Sequence, residues 1–219
     1  MGKALIVVLT FAVLGAAQVL VVDQAGREVL IPSQPQRIAS AFGVATPYLY
    51  AFVPPETIVA ARYLGLPDHP LSRAVMARID PNYTEKALGA EITVEELVAR
   101  DVDLVFAGLK HLDLARVLSE VGIPSVLIGP ETFEAVKDAT LLIGRALGQE
   151  ERAQDLVQFY EDVLSRLAEA TSSLPAEKRP KVLVLGTAPL RVASGAMYQS
   201  RMVEPVSYTH LTLPTILRV

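Results

Sequence analysis

Cysteine is absent from all 219 residues, and that removes several chemistries at once. There is no disulfide framework, no thiolate metal site and no thiol nucleophile, and no cysteine near the N-terminus to carry a lipid. An exported protein of this size without disulfides suits a bacterial periplasm better than an animal extracellular space. Histidine is scarce: His69, His111 and His210 are the whole set, too few beside converging acids for a dedicated zinc or manganese site. No basic block or basic–aromatic stripe occurs, which argues against nucleic acid as a partner. Phosphate loops of the form GxGxxG or GxxxxGK are missing. A GxSxG elbow is missing too, and Ser194-Gly195 has no placed His or acid partner. Asp101 and Asp103 alternate along a strand edge, a spacing better explained by strand capping than by acid–base work. With no catalytic constellation and no resident cofactor implied, the expectation is reversible binding rather than an enzyme.

What is present is apolar. Hydrophobic residues make up 51% of the chain and the mean hydropathy is +0.37. Part of this excess lies in residues 1–17, MGKALIVVLTFAVLGAA, where a lysine, an apolar run and small residues follow in the order of a secretory signal peptide. The run is short for a bilayer crossing, which takes about 20 residues. An uncleaved anchor and a buried strand are the alternatives to export. The formal net charge is −4, and removing residues 1–17 takes away a lysine and no acid, so the mature chain is slightly more acidic.

From residue 18 the pattern alternates. Two β-prone runs, Val19 to Val22 and Glu28 to Ile31, flank a Gly-containing turn and predict a hairpin. Strands are expected at Arg37 to Ser40, Thr57 to Ala61, Val102 to Ala107 and Pro124 to Ile128. Between them, helices are expected from Thr46 or Pro47 to Phe52, with Thr46 as N-cap, at Ser72 to Arg78, after a Thr93/Glu96 capping box, at Leu112 to Val121 closed by Gly122, and at Glu131 to Leu147 closed by Gly148. This order predicts an α/β fold, a parallel-sheet lobe with flanking helices. Ligands of such sheets sit beyond the carboxyl ends of the strands, which directs attention to Ser40 to Gly43, Arg62-Tyr63 and Ala107 to His111.

Glu150 to Leu174 is the longest uninterrupted pattern. Ala153, Leu156, Val157, Tyr160, Val163, Leu164 and Leu167 recur three and four apart, on one stripe of a helix. No Gly or Pro breaks it before Pro175. Standing between the first α/β segment and the new strand expected at Lys181 to Gly186, it reads as a strut joining two lobes; an ordinary long surface helix is the alternative.

Several segments together resemble the class III periplasmic substrate-binding proteins of ABC importers, the helical-backbone metal-receptor type whose cargoes are iron–siderophores, haem and cobalamin. They are Asp23 to Pro32 followed by Pro35 to Ala39; Gly89 to Leu97 with Asp103-Leu-Val105; Gly122-Ile-Pro124; Leu147-Gly148 leading into the long helix; and Val192-Ala-Ser-Gly195. Val102 stands where the family usually has proline. The resemblance implies a monomeric two-lobed clamp with a long inter-lobe connector helix. It places the signal peptide at 1–17, an N-terminal lobe at 18–149, the connector at 150–174 and the start of an incomplete second α/β lobe at 180–206. Residues 207–219 continue no period and read as a non-native tail after a truncated second lobe.

The same resemblance implies a surface glutamate that docks on the arginines of a permease dimer, a position that falls on Glu95; its other reading is a solvated acid favoured by the helix dipole. The implied cargo is a small-molecule metal complex, an iron chelate, haem or a corrinoid, large and often anionic. Aromatic faces and cationic side chains suit it. Phe42, Arg62, Tyr63, Lys110, His111 and, from the second lobe, Tyr198 are the candidate contacts. Core packing competes for Phe42 and Tyr63, and simple solvation for Lys110. His111 offers a haem-iron ligand or a capped, solvated side chain. The expected function is periplasmic capture of such a ligand for an ABC importer; an enzyme or a ligand sensor on a similar two-lobed frame is the alternative.

Overall fold

A computed structural model describes residues 18–32, 34–64, 70–89, 92–175 and 178, with the backbone of 181–182 and 209–210. Residues 1–17, where a signal peptide is expected, Tyr198 and most of 180–219 lie outside the described residues. The chain begins with the expected hairpin, β1 (Gln18–Val22) antiparallel to β2 (Glu28–Pro32). Its alternation turns Val21, Val29 and Ile31 inward. Gly26, at φ +78°, makes the turn, a conformation that costs glycine nothing.

The central sheet has four parallel strands: β3 (Ile38–Ser40), β4 (Ile58–Ala61), β5 (Leu104–Gly108) and β6 (Ser125–Ile128), in the order β4-β3-β5-β6. The chain goes one way from β3 to β4 and the other way to β5 and β6, so a switch point lies between β3 and β5. Strand β5 is buried along its whole length, as the central strand of a sheet covered on both faces must be. Side chains alternate across it: Leu104 and Phe106 join one core, Val105 and Ala107 the other.

The first core is covered by α1 (Ala45–Phe52), α6 (Phe133–Ala146) and the hairpin; the second by α4 (Val94–Ala99) and α5 (Leu112–Glu120). Between β4 and α4 the chain forms α2 (Pro70–Ile79) and the short α3 (Tyr83–Lys86). Helix ends follow local chemistry. Thr93 Oγ1 accepts from Glu96 N at 3.2 Å and Thr132 Oγ1 from Ala135 N at 3.1 Å. The capping box at Thr93 is half-formed, because the Glu96 carboxylate turns to Arg100 at 3.0 Å. Thr46 is not an N-cap. Helix α1 starts at Ala45, and the Thr46 hydroxyl is buried at the end of the sheet instead. Pro47 then occupies the third helical position, where a missing N–H still costs nothing.

The segment carrying α2 and α3 is pinned by one buried carboxylate. Asp80 accepts from Tyr50 Oη at 2.8 Å and Lys86 Nζ at 2.7 Å through Oδ2, and from Asn82 N at 3.1 Å through Oδ1. Lys86 Nζ also donates to the Pro55 carbonyl at 2.7 Å. Burial acts to raise the Asp80 pKa, but the bonds from Lys86 and Tyr50 and the Lys86 charge outweigh it and hold the carboxyl below its ordinary 3.8. Burial, with Asp80 adding to it, pushes the Tyr50 phenol far up. A depressed carboxyl pKa contributes stability above the unfolded value that is lost as pH falls through the folded one. Urea denaturation from pH 7 down to about pH 2 should therefore show an acid-side loss. In Asp80→Asn that slope should flatten, with about 2 kcal/mol already missing at neutral pH. An unchanged acid slope in the variant would assign the loss to other groups.

Helix α7 (Glu150–Thr171) is unbroken over 22 residues. It returns antiparallel along α6, with Ala153 so close to Gly144 that a Cβ there would overlap it, and Lys137 Nζ bonds Glu161 Oε1 at 3.0 Å farther on. The Glu161 carboxylate raises the Lys137 pKa. With 22 residues against 14 in α6, α7 outruns its partner by about 12 Å at 1.5 Å per residue. Residues 165–170 of that overhang are exposed. After it, β7 (Lys181–Val182) pairs in parallel with β8 (Thr209–His210).

Candidate ligand-binding edge

The carboxyl ends of β3, β4 and β5 bring together five of the six candidate contacts. The corner is built from two buried hydroxyls. Ser40 Oγ, on the last residue of β3, donates to the Phe42 carbonyl at 2.8 Å. Thr46 Oγ1 donates to the Arg62 carbonyl at 2.8 Å and lies 2.9 Å from Ser40 Oγ. These bonds fasten the turn after β3 to the turn after β4. Backbone bonds extend the sheet into the same turns, Arg62 N to Ser40 O at 3.1 Å and Ala41 N to Phe106 O at 2.8 Å. The side chains that follow are thus carried on a fixed frame.

On that frame Phe42 and His111 meet edge to face, with ring centroids 6.2 Å apart. The Phe42 ring lies over Gly108, where an added Cβ would be 3.1 Å from it. His111 sits in the one-turn 3-10 helix Leu109–His111, and its Nδ1 accepts from Gly108 N at 3.1 Å. A neutral imidazole that accepts at Nδ1 carries its proton at Nε2 and presents a donor there. This is the wrong tautomer for an iron ligand at Nε2 and the right one for binding an anion. Tyr63 is 64% exposed, and the Arg62 guanidinium carbon lies 5.5 Å from its ring centroid.

The edge is electropositive. Burial first, then the Lys110 and Arg62 charges, hold the His111 pKa below its ordinary 6.5. Neither Arg62 nor Lys110 has a carboxylate partner among the described ion pairs. Two cations near one imidazole, with no acid paired to them among the described residues, attract an anion. Among the described residues no three or more His, Asp or Glu side chains gather in a way that could hold a bare metal ion.

Glu95 stands apart from this edge, exposed in the first turn of α4. Its neighbour Glu96 is paired with Arg100; Glu95 has no ion pair among the described residues. Sequence reasoning included Gly43, Gly108 and Leu109 in the strand-end stretches without giving them a role, took Thr46 for a helix cap, and passed over Val44; Val44 and Leu109 are exposed at the same edge. The Phe-Gly pair at residues 42–43 was the one available signal, and it reads equally well as an ordinary turn.

Comparison with known proteins decides the family. A model of the periplasmic binding protein family matches residues 72–212, more than half of the chain. The chain belongs to the periplasmic binding protein family. The match runs into 207–219, the segment that the sequence alone marked as foreign. Among solved structures, a periplasmic solute binding protein from Veillonella parvula superposes with a TM-score of 0.71 at 23% identity, covering 89% of this chain and 60% of its own. The molybdate periplasmic binding protein of Haemophilus influenzae, bound to molybdate, gives 0.71 at 18% identity, covering 87% and 65%. Staphylococcus aureus SirA, complexed with staphyloferrin B, gives 0.65 at 19%, covering 88% and 64%. This periplasmic binding protein therefore spans less than two thirds of the length of these three solved proteins. Among curated proteins no sequence matches it. The family and the parallel-sheet α/β fold expected from the sequence are borne out.

Proposed function

We propose that this chain captures an anionic iron(III) chelate, a siderophore complex or the related haem or cobalamin-type ligand, outside the cytoplasmic membrane and delivers it to the permease dimer of an ABC importer. The observation that carries the reading is the convergence of Arg62, Lys110 and His111 with the Tyr63 and Phe42 rings at one edge of the sheet, with no carboxylate paired to the cations among the described residues. The position is the one at which open parallel sheets bind ligands. Molybdate is the ligand of one structural neighbour, and three basic groups suit a small oxyanion too. The exposed ring of Tyr63 favours the larger conjugated chelate. In this reading residues 18–149 form the first lobe, 150–174 the connector and 180–206 the start of a second lobe that would supply Tyr198, with 1–17 as the export signal of a monomer.

The test is a titration of the full chain with ferric siderophore chelates, haem, cobalamin and molybdate. The chain has seven tyrosines and no tryptophan, so tyrosine fluorescence reports directly. Saturable quenching by a chelate with the ligand recovered intact supports the reading. Saturation by molybdate alone transfers it to oxyanions, and ligand turnover would replace binding by catalysis.

Two consequences follow from single side chains. His111 is neutral at pH 7, because its pKa is depressed, so acidification adds a third positive charge to the edge. Affinity for an anionic chelate should rise severalfold, on the order of one added charge contact, as pH falls through the His111 pKa, which lies below its ordinary 6.5. His111→Gln should remove the rise while leaving the pH 7 value close to unchanged. Glu95→Ala should keep ligand affinity and lower transport at least about tenfold, since a carboxylate docked on guanidinium groups is a charge-assisted contact. Equal transport by the variant in reconstituted vesicles would return Glu95 to a solvated helix acid.

A further inference from the structure

Only two non-glycine residues among those described have positive φ, Tyr63 at +59° and Asp101 at +48°. Aspartate tolerates that region; a bulky tyrosine does not enter it without a constraint. Tyr63 gains little from burial in return, being 64% exposed. Its conformation is imposed from both sides. On one side the Thr46 hydroxyl holds the Arg62 carbonyl, part of the peptide that leads into Tyr63. On the other, Leu64 is buried in the first core. The ring is laid across Gly43, where any Cβ would overlap it. Gly43 has no positive φ of its own, so its missing side chain serves the seating of the ring and not the course of the backbone.

We infer that Gly43 is a positioning residue and Tyr63 a strained stacking platform, and that the edge selects chelates whose ligands are planar aromatic anions, of the catecholate type, over aliphatic carboxylate chelates. Strained residues persist where the surroundings over-determine them, and an exposed aromatic held in that way has a use for its face. The Arg62 guanidinium lies over the Tyr63 ring, 5.5 Å from its centroid, and puts a cation at the platform for the chelate's charge. The inference rests on the chelate reading given above and specifies which chelates the site prefers.

The experiment is equilibrium dialysis of the full chain against ferric tris-catecholate and against ferric citrate, with thermal melts of each variant. Wild type should favour the catecholate, and Tyr63→Phe should keep that preference. Tyr63→Gly and Gly43→Ala should weaken catecholate binding about tenfold, the scale of one stacking contact, and change citrate binding less than about twofold. Tyr63→Gly should melt at or above the wild-type temperature, because glycine accepts the left-handed conformation freely. A ring with a merely structural role predicts the opposite, a lower melt with an unchanged catecholate-to-citrate ratio. If wild type binds both chelates and the variants leave that ratio unchanged, the platform is overturned and the chelate reading stands. If wild type binds neither, both fall together.

Discussion

Asp23→Ala should remove about 3–5 kcal/mol of folding free energy, the scale for breaking a buried ion pair. The Asp23 side chain is fully buried and accepts five hydrogen bonds. Oδ1 takes Ala25 N at 3.0 Å and Arg27 N at 2.9 Å; Oδ2 takes Arg27 Nε at 2.9 Å, Arg27 Nη2 at 2.7 Å and Leu127 N at 3.1 Å. The last of these lies on the outer edge of β6. Gln24 continues the pattern, its backbone N donating to Leu127 O at 3.0 Å and its Oε1 accepting from Gly129 N at 2.7 Å, while Arg27 Nη2 donates to Ser125 O at 2.7 Å. The hairpin turn thus occupies the place of a further strand and covers an edge that would otherwise invite pairing with another chain. Alanine leaves the Leu127 N–H without its acceptor and the Arg27 guanidinium without its carboxylate, and total stability for a domain is only about 5–15 kcal/mol. Urea denaturation of Asp23→Ala, Arg27→Ala and the double variant checks this. The double variant should cost much less than the sum of the singles. A single-variant loss below about 1 kcal/mol, the scale of an ordinary neutral hydrogen bond, would show that β6 is held by other means.

That role was out of reach of the sequence, whereas the elements themselves were legible. Asp23 read as the first residue of a hairpin turn, as it is, but its partner Leu127 is 104 residues away and no periodicity connects them. Helices and strands were readable because burial of one stripe or of alternate residues leaves a period in the sequence. Boundaries followed where a cap was local. Thr132 fixes the start of α6 at Phe133, slightly later than the apolar pattern alone implies. Thr46 failed as a cap because a buried corner offered its hydroxyl better partners than the helix end did. The ligand edge was legible as a list of strand-end residues, since the topology dictates where they go. Its geometry was not: the tautomer of His111 depends on a Gly108 N–H, and the seat of Tyr63 depends on a glycine brought to it by a different strand. Long-range contacts of this kind write no local pattern.

The second large effect is electrostatic and falls on the ligand. Arg62 and Lys110 both lie close enough to His111 to depress its pKa, and neither is neutralised by a carboxylate among the described ion pairs, so removing them deletes most of the positive field of the edge. Arg62 is half-buried and Lys110 exposed, which sets the ranking. A hydrogen bond to a charged group contributes about 1.5–3 kcal/mol, so Arg62→Ala should weaken binding of an anionic ferric chelate by roughly 10- to 100-fold. Lys110→Ala, screened by solvent, should weaken it only a few-fold. The double variant should lose at least about 100-fold and most of the salt dependence, because screening acts on charges that are no longer there. Arg62→Lys should recover only part of the loss, since an ammonium cannot reproduce the planar fork or its stacking beside Tyr63. Dialysis at low and high salt separates these outcomes. A double variant that binds as tightly as wild type at low salt would mean that the chelate is held elsewhere on the chain.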